Sequence, residues 1–123
     1  MDGKKKILIV DDKSVIAKVV SLHLRDFECI YHSSPLQSIE WLAENNLPDL
    51  IVTDLRMPEM TGREFLHYLK SNDFYKDIPV IILSSEDSTS DRIKLLEEGA
   101  VDYIVKPFNP LELKTRINNV ISR

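Results

Sequence analysis

A single cysteine, Cys29, is all the sulfhydryl this 123-residue chain contains, so no internal disulfide can form. Its place in an apolar, strand-like run reads as an inert thiol in a reducing compartment. Long hydrophobic runs are missing too. None approaches the ~20 residues that a membrane-spanning helix needs, and no basic-then-apolar leader opens the sequence. Positive charge is in deficit, with 16 Lys and Arg against 20 Asp and Glu and a net charge of −4. A direct nucleic-acid binder needs a basic face to neutralise phosphates, which argues against that class. Zinc spacing is absent, since His23, His32 and His67 are far apart and have only one cysteine for company. There are no repeats, linkers or low-complexity stretches, so residues 1–123 read as one domain.

What is present is ordinary for a globular protein: 43% hydrophobic and 29% charged residues. A chain this long buries roughly two-thirds of its unfolded surface. Met1 to Lys6 carries three lysines and reads as a solvated tail. Five strand-like runs begin near residues 6, 29, 50, 79 and 102, with one helical pattern in each gap. That alternation is the signature of βα units and a parallel sheet covered by two helical layers. The runs "LIVT" and "PVIIL" are apolar at both parities, which predicts central strands buried on both faces.

The helical patterns have legible faces and ends. Val15/Ile16, Val19/Val20, Leu22 and Leu24 give the first helix its expected apolar face. Leu113, Ile117, Val120 and Ile121 do so for the last, which is expected to end at Arg123. Ser34-Pro35-Leu36-Gln37 and Asn109-Pro110-Leu111-Glu112 read as a cap, a proline at the first helical position, and a residue that reaches back. Thr61 with Glu64 forms a third such signal, and Ser88 with Asp91 resembles one. Gly99 after "LLEE" predicts a left-handed helix stop.

Four of the five runs end at chemically suggestive residues. The first runs into Asp11 and Asp12, the third into Asp54, the fourth into Ser84 and the fifth into Lys106-Pro107, whereas "CIYHS" ends in nothing comparable. Ligands of open parallel sheets bind outside the carboxyl ends of the strands, so these residues converge. Each has an ordinary explanation alone: Asp11-Asp12 as an acidic helix cap, Lys106-Pro107 as a turn, and Ser84 as a strand-end serine. Together they require several coincidences. Three adjacent carboxylates need cations to stay ionised. One lysine and one divalent ion would neutralise them, and oxygen-only ligands favour Mg²⁺, with Mn²⁺ as a substitute.

On these residues the chain resembles the receiver domain of bacterial two-component response regulators over essentially its full length. The resemblance rests on Asp11-Asp12, Asp54 within "DLRMPEMTG", Ser84, Tyr103 and Lys106-Pro107-Phe108. It implies a flavodoxin-like (βα)5 fold, a five-stranded parallel sheet in the order 2-1-3-4-5 with helices on both faces. Asp54 would be the catalytic and phosphorylated residue, taking a phosphoryl group from a histidine kinase or histidine phosphotransfer protein. Asp12, Asp54 and the main-chain carbonyl of Arg56 would hold Mg²⁺, with Asp11 acting through a metal-bound water. Lys106 and Ser84 would pair with phosphoryl oxygens, and Ser84 with Tyr103 would form the switch. The face built from helix 4, strand 5 and helix 5 would bind a downstream protein or a second copy. Such a domain is cytoplasmic, contacts neither membrane nor nucleic acid, and is no enzyme beyond self-phosphorylation and autodephosphorylation.

Arg56 and Glu86, two residues past Asp54 and Ser84, are expected to overlook the phosphoryl group and tune its hydrolysis. An ordinary strand aromatic is the bland reading of Tyr103, and its place three residues before Lys106 favours the switch. Trp41, Met57 and Met60 read as packing residues. A receiver-like module that binds proteins without phosphorylation is the nearest alternative, and it would be favoured if an acid, Ser84 or Lys106 were missing. A haloacid dehalogenase-type phosphatase expects an acid where Arg56 stands. In a flavodoxin, Asp11-Asp12 would repel the flavin phosphate.

Overall fold

The computed structural model describes residues 3–122. Met1 and Asp2 of the lysine-bearing start, and Arg123 at the expected end of the last helix, lie outside the described residues. Ten elements alternate along the chain: β1 (Lys6–Val10), α1 (Ser14–His23), β2 (Glu28–His32), α2 (Pro35–Ala43), β3 (Leu50–Asp54), α3 (Gly62–Lys70), β4 (Val80–Ser84), α4 (Thr89–Glu97), β5 (Asp102–Val105) and α5 (Pro110–Ile121). All neighbouring strands pair in parallel, in the order β2-β1-β3-β4-β5.

Two-residue periodicity along the strands divides the core in two. Leu8, Val10, Ile51, Val80 and Ile82 face a layer holding Leu42, Phe65, Leu66, Leu69 and Leu95 from α2, α3 and α4. Ile7, Ile9, Val52, Ile81 and Leu83 face the other way, onto Ala17, Val20, Leu113 and Ile117 from α1 and α5. Every residue of β3 and β4 is buried, as expected of strands covered on both faces. Each fully buried Leu, Ile or Phe contributes about 1.5–3 kcal/mol of apolar transfer. Strand β2 pairs only with β1, and its Cys29, Ile30 and Tyr31 stay half-buried.

The predicted face of α1 is rotated. Ala17, Val20 and Leu24 are buried, but Val15 is 59%, Val19 39% and Leu22 60% exposed. At about 100° per residue the helix cannot bury both rows of apolar side chains, and the sheet takes the row containing Ala17. An apolar stripe therefore faces outward beside the acidic loop.

Helix ends follow the predicted signals with local differences. Thr61 and Glu64 make both bonds of a capping box. Ser34 accepts the Gln37 N–H, but the Gln37 side chain reaches past it to the N–H of Ser33. Asn109 caps through the N–H of Leu111, while Glu112 turns to Arg116 instead of reaching back. Ser88 accepts the Asp91 N–H. Gly99 has φ +116°, and the chain closes α4 with Ala100 N–H donating to Leu95 O at 3.0 Å. No side chain caps α1, whose N-cap is Lys13.

Candidate functional site

Parallel pairing brings the carboxyl ends of β1, β3, β4 and β5 to one edge of the sheet. Asp11 follows β1, Asp54 ends β3, Ser84 ends β4 and Lys106 follows β5. Side-chain oxygens of Asp11, Asp12 and Asp54 lie within 4.8 Å of one another. Lys106 Nζ spans two of them, donating to Asp54 Oδ1 at 3.0 Å and to Asp11 Oδ2 at 3.1 Å. Asp11 and Asp54 are buried and Asp12 is exposed. The same Asp11 also receives the Lys13 N–H on Oδ1 at 2.9 Å, a bond just ahead of α1 and not a cap of it, and leaves the other oxygen to Lys106.

The electrostatics show a surplus of negative charge. Burial pushes the Asp54 carboxyl above its ordinary value, and the charge of Asp11 adds to the rise while Lys106 offsets part of it. Burial works against the Lys106 ammonium, yet its bonds to Asp54 and the charges of both aspartates outweigh that and hold its pKa up. One lysine is not enough for three acids.

A second set of bonds meets at Glu86. Its N–H donates to Ser84 Oγ at 3.0 Å, and its carbonyl accepts the Tyr103 hydroxyl at 2.8 Å. Its carboxylate pairs with the side chain of Arg56, two residues past Asp54. Tyr103 is buried, with the Arg92 guanidinium 5.6 Å from its ring centroid. Lys106 N–H donates to Ser84 O at 2.7 Å, which ties the ends of β4 and β5 together. The Lys106-Pro107 peptide is cis.

Lys106 thus bonds Asp11 and Asp54 beside Asp12, Ser84 joins this group through the Lys106 N–H, and Ser84, Tyr103 and Arg56 share Glu86 as a partner. Met57 is buried and Met60 and Trp41 pack on the core, as their packing roles require. Two further residues bear on the site. Gly62 begins α3 with its N–H on Leu55 O at 2.8 Å, and a Cβ there would lie 2.2 Å from Asp54 O. Tyr31, in the run that seemed to end in nothing, donates its hydroxyl to Asp11 O at 2.6 Å. Gly62 was visible in sequence only as a motif letter, and nothing in the sequence marked Tyr31.

A family model described as the response regulator receiver domain matches residues 7–118. The chain belongs to that family. The receiver domain is 37% identical to the phosphate regulon transcriptional regulatory protein PhoB of Pseudomonas aeruginosa, over 97% of this chain and 52% of that protein. It is also 37% identical to the two-component response regulator ORR5 of Oryza sativa subsp. japonica, over 97% of this chain and 90% of the other. The chain spans about half the length of the transcriptional regulators it matches. Among solved structures it superposes on the Francisella response regulator 1452 receiver domain with a TM-score of 0.88 and 32% identity, covering 98% of both chains. The receiver domain of the sensor histidine kinase PA1611 from Pseudomonas aeruginosa, with a magnesium ion coordinated in its active-site cleft, gives 0.85 at 26% identity, over 98% of this chain and 100% of that one. The five parallel strands and their order are those of the flavodoxin-like receiver fold.

Proposed function

We propose that this receiver domain accepts a phosphoryl group on Asp54 from a phosphohistidine of a kinase or phosphotransfer protein, with Mg²⁺, and passes the signal to an output face. The reading is carried by Lys106 Nζ spanning Asp11 and Asp54 beside a third carboxylate. Every acid, Ser84 and Lys106 are in place, so the non-phosphorylated alternative has no observation in its favour.

The donor set fits a hard divalent cation: oxygens only, close together, with an unbalanced negative charge. Asp12, Asp54 and the Arg56 carbonyl are the proposed ligands, with Asp11 one water further out. Magnesium in the cleft of the PA1611 receiver domain supports a divalent cation at this site. When bound, the ion supplies positive charge to the phosphoryl oxygens.

The remaining work belongs to the chain. A carboxylate oxygen of Asp54 forms the new bond to phosphorus as the phosphorus–nitrogen bond of the donor histidine breaks, and the electron pair leaves with the imidazole. Lys106 exchanges its hold on Asp54 Oδ1 for a phosphoryl oxygen. Ser84 donates its hydroxyl to another, and its Oγ gives up the Glu86 N–H. The outward stripe of Val15, Val19 and Leu22, starting beside the acidic loop, offers the donor an apolar landing surface. Nothing in this scheme requires chemistry beyond the domain's own phosphorylation and dephosphorylation. It acts in the cytoplasm without nucleic-acid contact, and no helix among the described residues is long and apolar enough to cross a membrane.

Incubation with acetyl phosphate and Mg²⁺, followed by borohydride trapping and mass spectrometry, tests the assignment. Label is expected on Asp54 and is expected to disappear in Asp54→Asn. Label elsewhere, or full labelling of the variant, would sink it.

A further inference from the structure

We propose that Tyr31 is a positioning residue for the divalent-cation site, and this rests on the cation reading above. Tyr31 lies on β2 opposite Ile9 of β1, two residues before Asp11. From there its hydroxyl reaches along the strand pair to the carbonyl of Asp11 at 2.6 Å. That carbonyl belongs to the peptide joining Asp11 to Asp12. A short bond to it fixes the peptide plane, and so the direction in which the Asp12 side chain leaves the backbone.

The rest of the loop shows why this matters. Asp11 N–H donates to His32 O at 3.1 Å, Asp11 Oδ1 takes the Lys13 N–H and Oδ2 takes Lys106. These bonds hold Asp11 and Lys13, and none of them runs to the Asp12 carboxylate. Asp12 is exposed, yet its oxygen lies in the cluster. An exposed side chain is aimed by the backbone that carries it, and Tyr31 pins that backbone from the edge strand. The ring itself packs against the core layer shared by α1 and α5. A phenylalanine would therefore keep the packing and lose only the bond to Asp11.

The experiment is a calorimetric titration of the metal-free domain with Mg²⁺ alone, on wild type, Tyr31→Phe and Asp12→Asn, with a urea unfolding curve of each taken without metal. Tyr31→Phe is expected to bind about tenfold more weakly, the low end of what partners behind the direct ligands are worth. The backbone amide shifts of Asp12 and Lys13 are expected to move in the metal-free variant. Asp12→Asn is expected to lose binding. Wild-type affinity in Tyr31→Phe, whether or not its urea midpoint falls, overturns the positioning role while the cation reading stands. Unmoved Asp12 and Lys13 amides overturn it as well. Equal affinity in Asp12→Asn, or no binding to wild type, would remove the cation reading and the role of Tyr31 with it.

Discussion

At the scale of single residues, the Arg56–Glu86 pair sets up a competition. Arg56 is exposed and its guanidinium is held by Glu86. The proposed phosphorylation would replace the single charge of Asp54 with a dianionic group, and so offer Arg56, two residues on, a second attractive partner. An Arg56 that swings to the phosphoryl group offsets charge and obstructs the line of water attack. The aspartyl phosphate is thus expected to decay faster in Arg56→Ala and more slowly in Glu86→Gln, which frees the guanidinium. The double variant is expected to match Arg56→Ala. Each change is a few-fold, the scale of an exposed ion pair. The measurement is phosphoprotein decay after donor removal at fixed Mg²⁺, and identical half-lives in all four proteins would show that Arg56 neither shields nor stabilises the phosphoryl group. Legibility at this scale depended on residue type. Asp11, Asp12, Asp54, Ser84 and Lys106 could be picked out because each carries a side chain suited to the chemistry at a strand end. Glu86 could be picked out beside Arg56, but its bonds to Ser84 and Tyr103 and the bond of the Tyr31 hydroxyl to Asp11 O could not, because each uses a main-chain N–H or C=O group that every residue possesses.

At the scale of elements, strand parity and capping chemistry made the sheet and most helix starts readable. The face of α1 was not, since apolar residues occur at more positions than the sheet can cover, and only packing decides which row is buried. Loop-to-helix junctions carry their own constraints. Gly62 places α3 against the backbone that bears Asp54, and a Cβ would collide with Asp54 O and also approach Leu55 Cα at 2.9 Å. Backbone cannot rotate away as a side chain can. Gly62→Ala is expected to lose about 1–3 kcal/mol or more in urea unfolding, as overpacked sites do. It is also expected to weaken Mg²⁺, because the loop carrying Arg56 must shift. Between α3 and α4, Arg63 and then His67 bind Glu98, and this holds the Glu98 carboxyl below its ordinary value. A depressed carboxylate stabilises the folded state above its unfolded pKa of about 4.3, and the contribution fades as pH falls through the folded value. Glu98→Gln is expected to lower the urea midpoint at pH 7 and to match wild type more closely at pH 3. A constant difference between the two proteins across that range would remove the ion pair from the account.

At the scale of the whole molecule, the question is how a charge on Asp54 is felt on a surface. Ser84 and Tyr103 stand on neighbouring strands, and both bond to the backbone of Glu86 in the loop that leads into α4. Tyr103 is already inward in this structure, bonded to Glu86 and stacked with Arg92 of α4. The group left to move is therefore the Ser84 hydroxyl. Under the proposed function, its turning to a phosphoryl oxygen would take the acceptor from the Glu86 N–H, and the loop would need a new arrangement that displaces the start of α4 and the partner of the Tyr103 hydroxyl. Such a local change in bonding biases an element with two packings, the usual route of phosphorylation switches. The face it would alter carries exposed Ile93 and Leu96 on α4, together with Arg116, which donates to both Asp102 and Glu112. Apolar residues ringed by both signs of charge suit a self-complementary contact about a two-fold axis. Beryllofluoride with Mg²⁺ is thus expected to shift backbone amide resonances across α4, β5 and α5 more than across α2, and to raise the mass seen by light scattering. Ser84→Ala is expected to keep the shifts near Asp54 but lose those on α4, because the exchange of acceptor can no longer occur. Full propagation to α4 in that variant would show that the Glu86 bond is not the link.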